Sequence, residues 1–405
     1  MSKKILKNSL HQLHSFRAYS KFTEDDVRSA LGSVCRKFAE SELMPIASKL
    51  DKECQFPASQ IQKLGSLGAM GILVPSDYGG AGLDTAALSI AVQEISRGCG
   101  GTSAIVNIHN ALYADLISRF GSNDQKEKYL PNFVNGTHIG GFALSESASG
   151  SDAAGLQTTA TATSCGFILN GTKAWVTNAK EAKAIIVFAV TNPQKRHRGI
   201  SAFIVDIPSE GLVIGKNEDK LGIRASSTCD IVLQDTPVTR DNLLGEEGQG
   251  FKIAMSGLDC ARIGIAAQAV GIAQAALDCA TKYAYQRKAF GNPLLNFQAV
   301  QHRIARMATQ LEAAKLMALS AAKARDCNPF CTKEASMAKL MASEAATFVT
   351  HNCIQILGGM GYVSDMPAER HYRDARITEI YGGVSDIQLT VIAEHVVRNY
   401  GFSKK

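Results

Sequence analysis

The chain has 405 residues, of which 45% are hydrophobic, 20% charged and 7% aromatic, a composition that excludes disordered and fibrous proteins and supports a sizeable buried core. Single cores stop growing near about 250 to 300 residues, so the length implies two or three structural units. No apolar run reaches the roughly 20 residues needed to span a bilayer, and the net charge of +6 is concentrated at the start of the chain.

Lys3, Lys4, Lys7, Arg17 and Lys21 precede the first acid, Glu24, together with His11 and His14. A basic, Ser-containing, acid-free start has the pattern of a mitochondrial transit peptide over residues 1–21, implying the mitochondrial matrix; a frayed basic tail is the bland alternative. Setting those five charges aside leaves +1, so nothing in the body favours nucleic acid as a partner. The ten cysteines are scattered and read as reduced, mostly buried thiols. Cys327 and Cys331 form a C-x3-C pair with no second pair to complete a zinc site, so no metal is expected.

Three textures follow in chain order. Residues 22–135 are helical by pattern: Thr23 caps a segment in which Val27, Leu31, Val34, Phe38 and Leu43 recur near helical spacing. SDYGGAG at 76–82 is a loop by its glycines, and 123–129 reads as a short helix. Residues 136–248 change to short runs rich in Val, Ile, Thr and Phe. IGGFAL, GFILNGTKAWVT, AIIVFAV, SAFIVDI, LVIGK and CDIVLQD are strand candidates, and Asn170–Gly171 is a hairpin signal. From 249 to 405 Ala- and Met-rich periodicity predicts four long helices, a small-residue pattern suited to tight packing.

Four separated motifs carry chemistry. FALSESASGSDAAGLQTTA (142–160) is a Gly/Ser/Ala stretch that lets backbone approach a planar ligand, although alone it reads as a turn. AWVTNA (174–179) holds the only tryptophan, Trp175, which by itself reads as a strand residue of a β core. QRKAFG (286–291) offers Arg287, whose planar fork suits a diphosphate. QILGGMGY (355–362) is a Gly-rich helix end, otherwise a C-cap. LDCAR (258–262) adds Asp259 and Arg262 within one helical turn, which can also be a local ion pair.

Together, over nearly all of 22–397, these residues resemble the acyl-CoA dehydrogenases, most closely the short-chain, butyryl-CoA type. The resemblance implies an α+β fold with a helical N-terminal domain, a central β-barrel-like domain and a C-terminal four-helix bundle. It also implies one FAD per subunit, a homotetramer, an acyl-CoA substrate and electron-transfer flavoprotein as electron acceptor. Carried over by motif, Phe142, Leu144, Ser145, Gly150 and Ser151 line the flavin, with Ser151 also meeting the thioester. Trp175, Val176 and Thr177 pack on the ring. Arg287, Phe290, Gln298, Gln355, Ile356, Leu357, Gly358 and Gly359 hold the diphosphate and adenine side, partly for a neighbouring subunit, and Val384, Ser385 and Asp386 adjoin the flavin. Asp259, Arg262, Gly382 and Gly383 fall on the substrate side.

The resemblance breaks at the base. Most family members place a glutamate in a stretch resembling I-Y-E-G-T-S-E-I-Q, where this chain has IYGGVSDIQ (380–388) and Gly382 at the base position. The alternative family location, just before the Arg of L-D-x-x-R, is Ala261. The segment departs as a unit, with Val384 for Thr, Asp386 for Glu or Gln and Leu389 for Arg. Glu379 and Asp386 are the nearest substitute carboxylates. Losing a positioned base costs about 10² to 10⁴ in rate, whereas the Gly382 N–H keeps the capacity to polarise a thioester carbonyl. Two readings stay open: a dehydrogenase with an impaired or relocated base, and a non-catalytic acyl-CoA and FAD binder acting as sensor or scaffold.

Overall fold

The computed structural model describes residues 23–402; the transit-peptide segment lies outside them. Thr23 closes a capping box with Asp26 and starts α1 (Glu24–Phe38) beside three acids that suit a helix N-terminus. α2 (Thr85–Gly98) begins at the Asp84 cap, and α3 (Gly100–Ile108) follows almost directly. α4 (Asn123–Tyr129) opens on a Ser122/Gln125 capping box. The apolar faces of α1 and α2 close one core around Leu31, Cys35, Phe38, Val92 and Ile95.

The central unit is one eight-stranded sheet in the order β6 (Leu212–Asn217), β7 (Thr228–Thr239), β3 (Gly166–Thr177), β2 (Thr159–Ala162), β4 (Ala182–Val190), β5 (Ile200–Asp206), β8 (Leu243–Leu244), with β1 (Ile139–Ala143) parallel to β4. β6 and β8 end the path among the described residues, and this sheet is the central β unit between the two helical ones. β4 is apolar on both faces because each face meets a core: Ile186 and Phe188 join one, Ile185, Val187 and Ala189 the other.

The Asn170–Gly171 hairpin expectation is corrected. Both residues sit inside β3 (Gly166–Thr177), opposite β7 (Thr228–Thr239), where the register shifts. The chain instead reverses at Thr163–Cys165, between β2 (Thr159–Ala162) and β3. Asn170 exchanges hydrogen bonds with Asp235, so its turn chemistry is spent across the sheet.

The C-terminal helices are α5 (Gly250–Gln286), α6 (Gln298–Cys327), α7 (Thr332–Leu357), α8 (Ala368–Arg376) and α9 (Ser385–Asn399). α5 has the length and apolarity to cross a bilayer, but 78% of its most apolar 18-residue stretch is buried within the protein. Its alanines face those of α7, with Ala269, Ala273, Ala276 and Ala280 sharing a core with Ala335, Ala338, Ala342 and Ala346. Against α2, at Gly271 even a methyl would come within 2.2 Å of the Gln93 carbonyl. α5 therefore runs against the N-terminal helices, the bundle and the sheet, and every part of the site described next touches it or its neighbours.

Candidate functional site

α8 ends in a short turn (Ile377–Glu379), and the chain then crosses Tyr381, Gly382 and Gly383 before α9 begins. Both glycines have positive φ, +67° and +99°, a conformation that costs other residues about 1–2 kcal/mol. Their carbonyls are clamped. Arg262 Nε donates to Gly382 O at 3.0 Å, Lys339 Nζ to Gly383 O at 2.8 Å, and Gln388 Nε2 to both at 3.2 and 2.8 Å. The N–H groups of Gly382 and Gly383 make no hydrogen bond among the described residues. Ser385 Oγ and Gln388 Oε1 are likewise buried without a protein partner. Fixed carbonyls beside free donors are the arrangement that receives an oxygen of a ligand.

Arg262 also donates to Asp259 Oδ1 at 3.1 Å, and Thr332 donates to Asp259 Oδ2 at 2.6 Å. The pair is a local ion pair whose arginine also reaches the glycine loop. Burial pushes Asp259 up and Arg262 down despite their pairing. It also pushes Lys339 down to about 8, with Arg262 adding repulsion and Glu379 opposing it. Tyr381 donates its hydroxyl to Gln268 Oε1 on α5.

Among the described residues no carboxylate lies within 4 Å of a Cβ built at 382. A Cβ there would meet Ile265 Cδ1 at 2.6 Å and Arg262 Cγ at 4.0 Å, an aliphatic wall. Glu379 is occupied, accepting from Thr347 Oγ1 and Arg376 Nη1. Asp386 is solvent-exposed in the first turn of α9, and Ala261 is buried in the N-terminal core.

The second wall comes from the β domain. Glu146 accepts from the backbone N–H groups of Gln157 and Thr158, from Thr158 Oγ1 and, at 2.8 Å, from Lys173 Nζ. Lys173 also donates to Leu144 O at 3.1 Å. This buried pair folds 144–158 into a loop that exposes Gly150 and Ser151, leaves Phe142 and Ser145 half-buried and turns Leu144 into the core. At a bulge in β3 Trp175 adopts φ +62° and stands 62% exposed, whereas Val176 points into the sheet core and Thr177 is half-buried. Leu144 and Val176 therefore present only backbone to a ligand. An exposed indole on strained backbone is a flat apolar surface held outward by design of the bulge.

A third region is an open cavity of about 600 Å³ between α5 and α7, lined by Tyr283, Arg287, Leu294, Ile356, Leu357, Gly358, Gly359, Met360 and Val363. It brings together five of the residues read from the sequence. An added Cβ at Gly358 or Gly359 would meet nothing within 4 Å, so these glycines border open space, and Arg287 supplies the fork for a diphosphate. Gln298, Gln355 and Phe290 do not line this cavity. The two glutamines are exposed, and Phe290 is 93% exposed at φ +51°. An outward Trp, a small-residue loop and an Arg-bearing cavity are each of a kind that suits a part of a flavin dinucleotide.

Sequence reading missed Lys339, Gln388, Glu146, Lys173, Thr332 and Ile265. Only a lysine embedded in an alanine-rich apolar run, as in SMAKLMA, carried a signal, because charged residues are rarely fully buried without a task.

The comparisons agree with this architecture. The family description "Acyl-CoA dehydrogenase, N-terminal domain" matches residues 25–137, the middle domain 141–236 and the C-terminal domain 248–397. The chain is 54% identical over 389 residues to the short-chain specific acyl-CoA dehydrogenase, mitochondrial, of Bos taurus, covering 96% of this chain and 94% of that one. The butyryl-CoA dehydrogenase structure from Megasphaera elsdenii superposes with a TM-score of 0.90 at 40% identity, over 93% of this chain and 99% of that one. A structure of PigA with FAD and proline superposes at 0.89 with 28% identity, over 94% and 99%. Three matched domains in the order of the three structural units place the chain in the acyl-CoA dehydrogenase family.

Proposed function

We propose that this chain is a mitochondrial-matrix flavoprotein that binds short-chain acyl-CoA and converts it to the trans-2-enoyl-CoA, with its α-proton step crippled because Gly382 stands at the base position. The observation that carries this is the glycine loop: its carbonyls are held by Arg262, Lys339 and Gln388 while its N–H groups stay free. Those donors suit a thioester carbonyl and the negative charge that develops on it as the α proton leaves. Gly358, Gly359 and Arg287 would hold the dinucleotide end of FAD, and Trp175, Thr177 and the 142–151 loop its ring. When bound, FAD supplies the acceptor for the β hydrogen as hydride. The chain's own residues bind and polarise the thioester, and the proton must leave to solvent through a site that offers no carboxylate.

The basic start of the sequence and the mitochondrial relatives support the matrix assignment. Exposed Phe290, Leu389, Val396, Val397 and Tyr400 support a homotetramer that covers them. Electron-transfer flavoprotein is the acceptor that family membership supports.

A second reading, a non-catalytic acyl-CoA and FAD binder, is favoured by one observation. Both substitute carboxylates are unsuited, Glu379 by its bonds to Thr347 and Arg376 and Asp386 by its exposure.

The test is anaerobic addition of butyryl-CoA to the purified flavin-loaded protein while following the oxidised flavin band. Bleaching slowed by about 10² or more relative to a family member with glutamate is expected. Bleaching at the ordinary family rate would overturn the crippled step, a spectral shift without bleaching would establish the binder, and absence of flavin would overturn both.

A further inference from the structure

The loop joining β6 to β7, residues 218–227, leaves the β domain and wedges between the start of α3 and α8. A Cβ at Gly101 would come within 2.9 Å of Ala225 Cβ, and one at Gly222 within 2.2 Å of the Arg373 carbonyl. Three bonds hold the loop there. The buried Asp374 side chain accepts from the Ile223 N–H at 2.5 Å, Arg373 Nη1 donates to Leu221 O at 3.0 Å, and Arg224 Nε donates to Asp51 O at 3.2 Å. Ile223, itself buried, sits at φ +44°, a left-handed conformation that a β-branched side chain rarely adopts. Backbone of this kind persists only where its surroundings over-determine it.

Both sides of this contact run to the site. Arg373 and Asp374 lie in the last turn of α8, which passes through Ile377–Glu379 into Tyr381, Gly382 and Gly383. On the loop side, the Ser226 N–H and Oγ both donate to Ile223 O, and Ser227 O accepts from the Asn178 N–H. β7 then begins, pairing Thr228 with Thr177 and Cys229 with Val176, next to the bulge that carries Trp175. We propose that Asp374 is a positioning residue: by holding Ile223 it fixes the Trp175–Thr177 wall of the β domain against the glycine loop at the end of α8. Its meaning for catalysis rests on the function proposed above, since transfer between a thioester on one wall and a flavin on the other depends on their separation and alignment. One carboxylate then sets a distance between two walls that it does not itself line.

Trp175 is the only tryptophan, so its emission reads the wall whether or not flavin is bound. Asp374→Ala and Asp374→Asn are compared with the unsubstituted full-length protein, at matched flavin content and well below their unfolding midpoints, by peptide-level hydrogen exchange over 218–227 and by Trp175 emission. In Asp374→Ala the peptide holding Ile223 should exchange about tenfold faster, the effect of freeing one hydrogen bond to a charged group, and the Trp175 emission maximum should shift. Asp374→Asn keeps an Oδ1 acceptor and should restore both, which a general loss of stability would not do. Faster exchange with unmoved Trp175 emission would overturn the proposal, because the loop would then be a latch without consequence for the wall. Exchange unchanged by Asp374→Ala would overturn it as well. If Asp374→Ala does not fold, Gly222→Ala forces the loop off the Arg373 carbonyl with the carboxylate left in place, and the same two readings decide. Absence of flavin, or of bleaching by butyryl-CoA, in the unsubstituted protein would fall on the function proposed above and leave both readings intact.

Discussion

Lys173 in the β domain and Lys339 in the bundle are both fully buried, and each holds a site loop by donating to a backbone carbonyl, Leu144 O at 3.1 Å and Gly383 O at 2.8 Å. Burial brings both down to about 8. They differ in what balances them. Lys173 meets Glu146 Oε1 at 2.8 Å, and Glu146 in turn organises the whole 144–158 loop. Lys339 has no ion pair among the described residues, because Asp259 is taken by Arg262 and Thr332 and Glu379 by Arg376 and Thr347. The loop held by Lys173 is internally compensated, whereas beside the glycine loop Arg262 pairs with Asp259 and Lys339 feels only the charge of Glu379, which is itself paired with Arg376. If Gly382 stands at the base position as proposed, a carboxylate there would add a negative charge near Lys339 and a proton acceptor at one position.

Restoring that carboxylate has the largest expected effect. Gly382→Glu should raise the rate of flavin bleaching by butyryl-CoA by about 10² to 10⁴. Because its Cβ would press on Ile265 Cδ1, the change is best made with Ile265→Val, which removes the clashing methyl. Stopped-flow absorbance checks it. If the double variant folds, binds flavin and bleaches no faster, the lack of a carboxylate at 382 is not what limits the reaction.

The comparison also sets two stability effects apart. Lys173→Met leaves Glu146 charged, buried and without its cation, and should cost about 3–5 kcal/mol by denaturant unfolding. Lys339→Met strands no carboxylate. Gly383 O keeps Gln388 as a donor, so the loss should be about 1–2 kcal/mol. Equal losses would mean that Lys339 has a charge partner after all.

The difference in legibility follows the same division. Caps, apolar spacing and alanine content made the helices readable: Thr23 starts α1, and the four long helices expected within 249–405 are α5, α6, α7 and α9. Site segments were readable where glycines or an arginine define them locally, as at Gly358, Gly359 and Arg287. What was not readable depends on partners distant in sequence. Lys339 reaches Gly383, Arg262 reaches Gly382 and Lys173 reaches Glu146, and no local pattern specifies such pairings. Asn170–Gly171 failed for the same reason, because β7 rather than a turn claimed its hydrogen bonds.

The smallest effect is the most specific. In the native state Lys339 gives up its proton near pH 8, whereas in the unfolded chain it holds it to about 10.5. Between these values the unfolded state binds the extra proton, so the stability of the native state rises with pH, and the contribution fades as pH falls through about 8. The stability difference between the unsubstituted protein and Lys339→Met should therefore grow by about 1.4 kcal/mol per pH unit from pH 8 to 10, as read from parallel urea titrations. With glutamate at 382 the native ammonium gains a nearby anion and its proton is held to higher pH, which narrows that window from below. A slope unchanged by Gly382→Glu would place the new carboxylate too far from Lys339 to compensate it, and the buried ammonium would then be independent of what stands at 382.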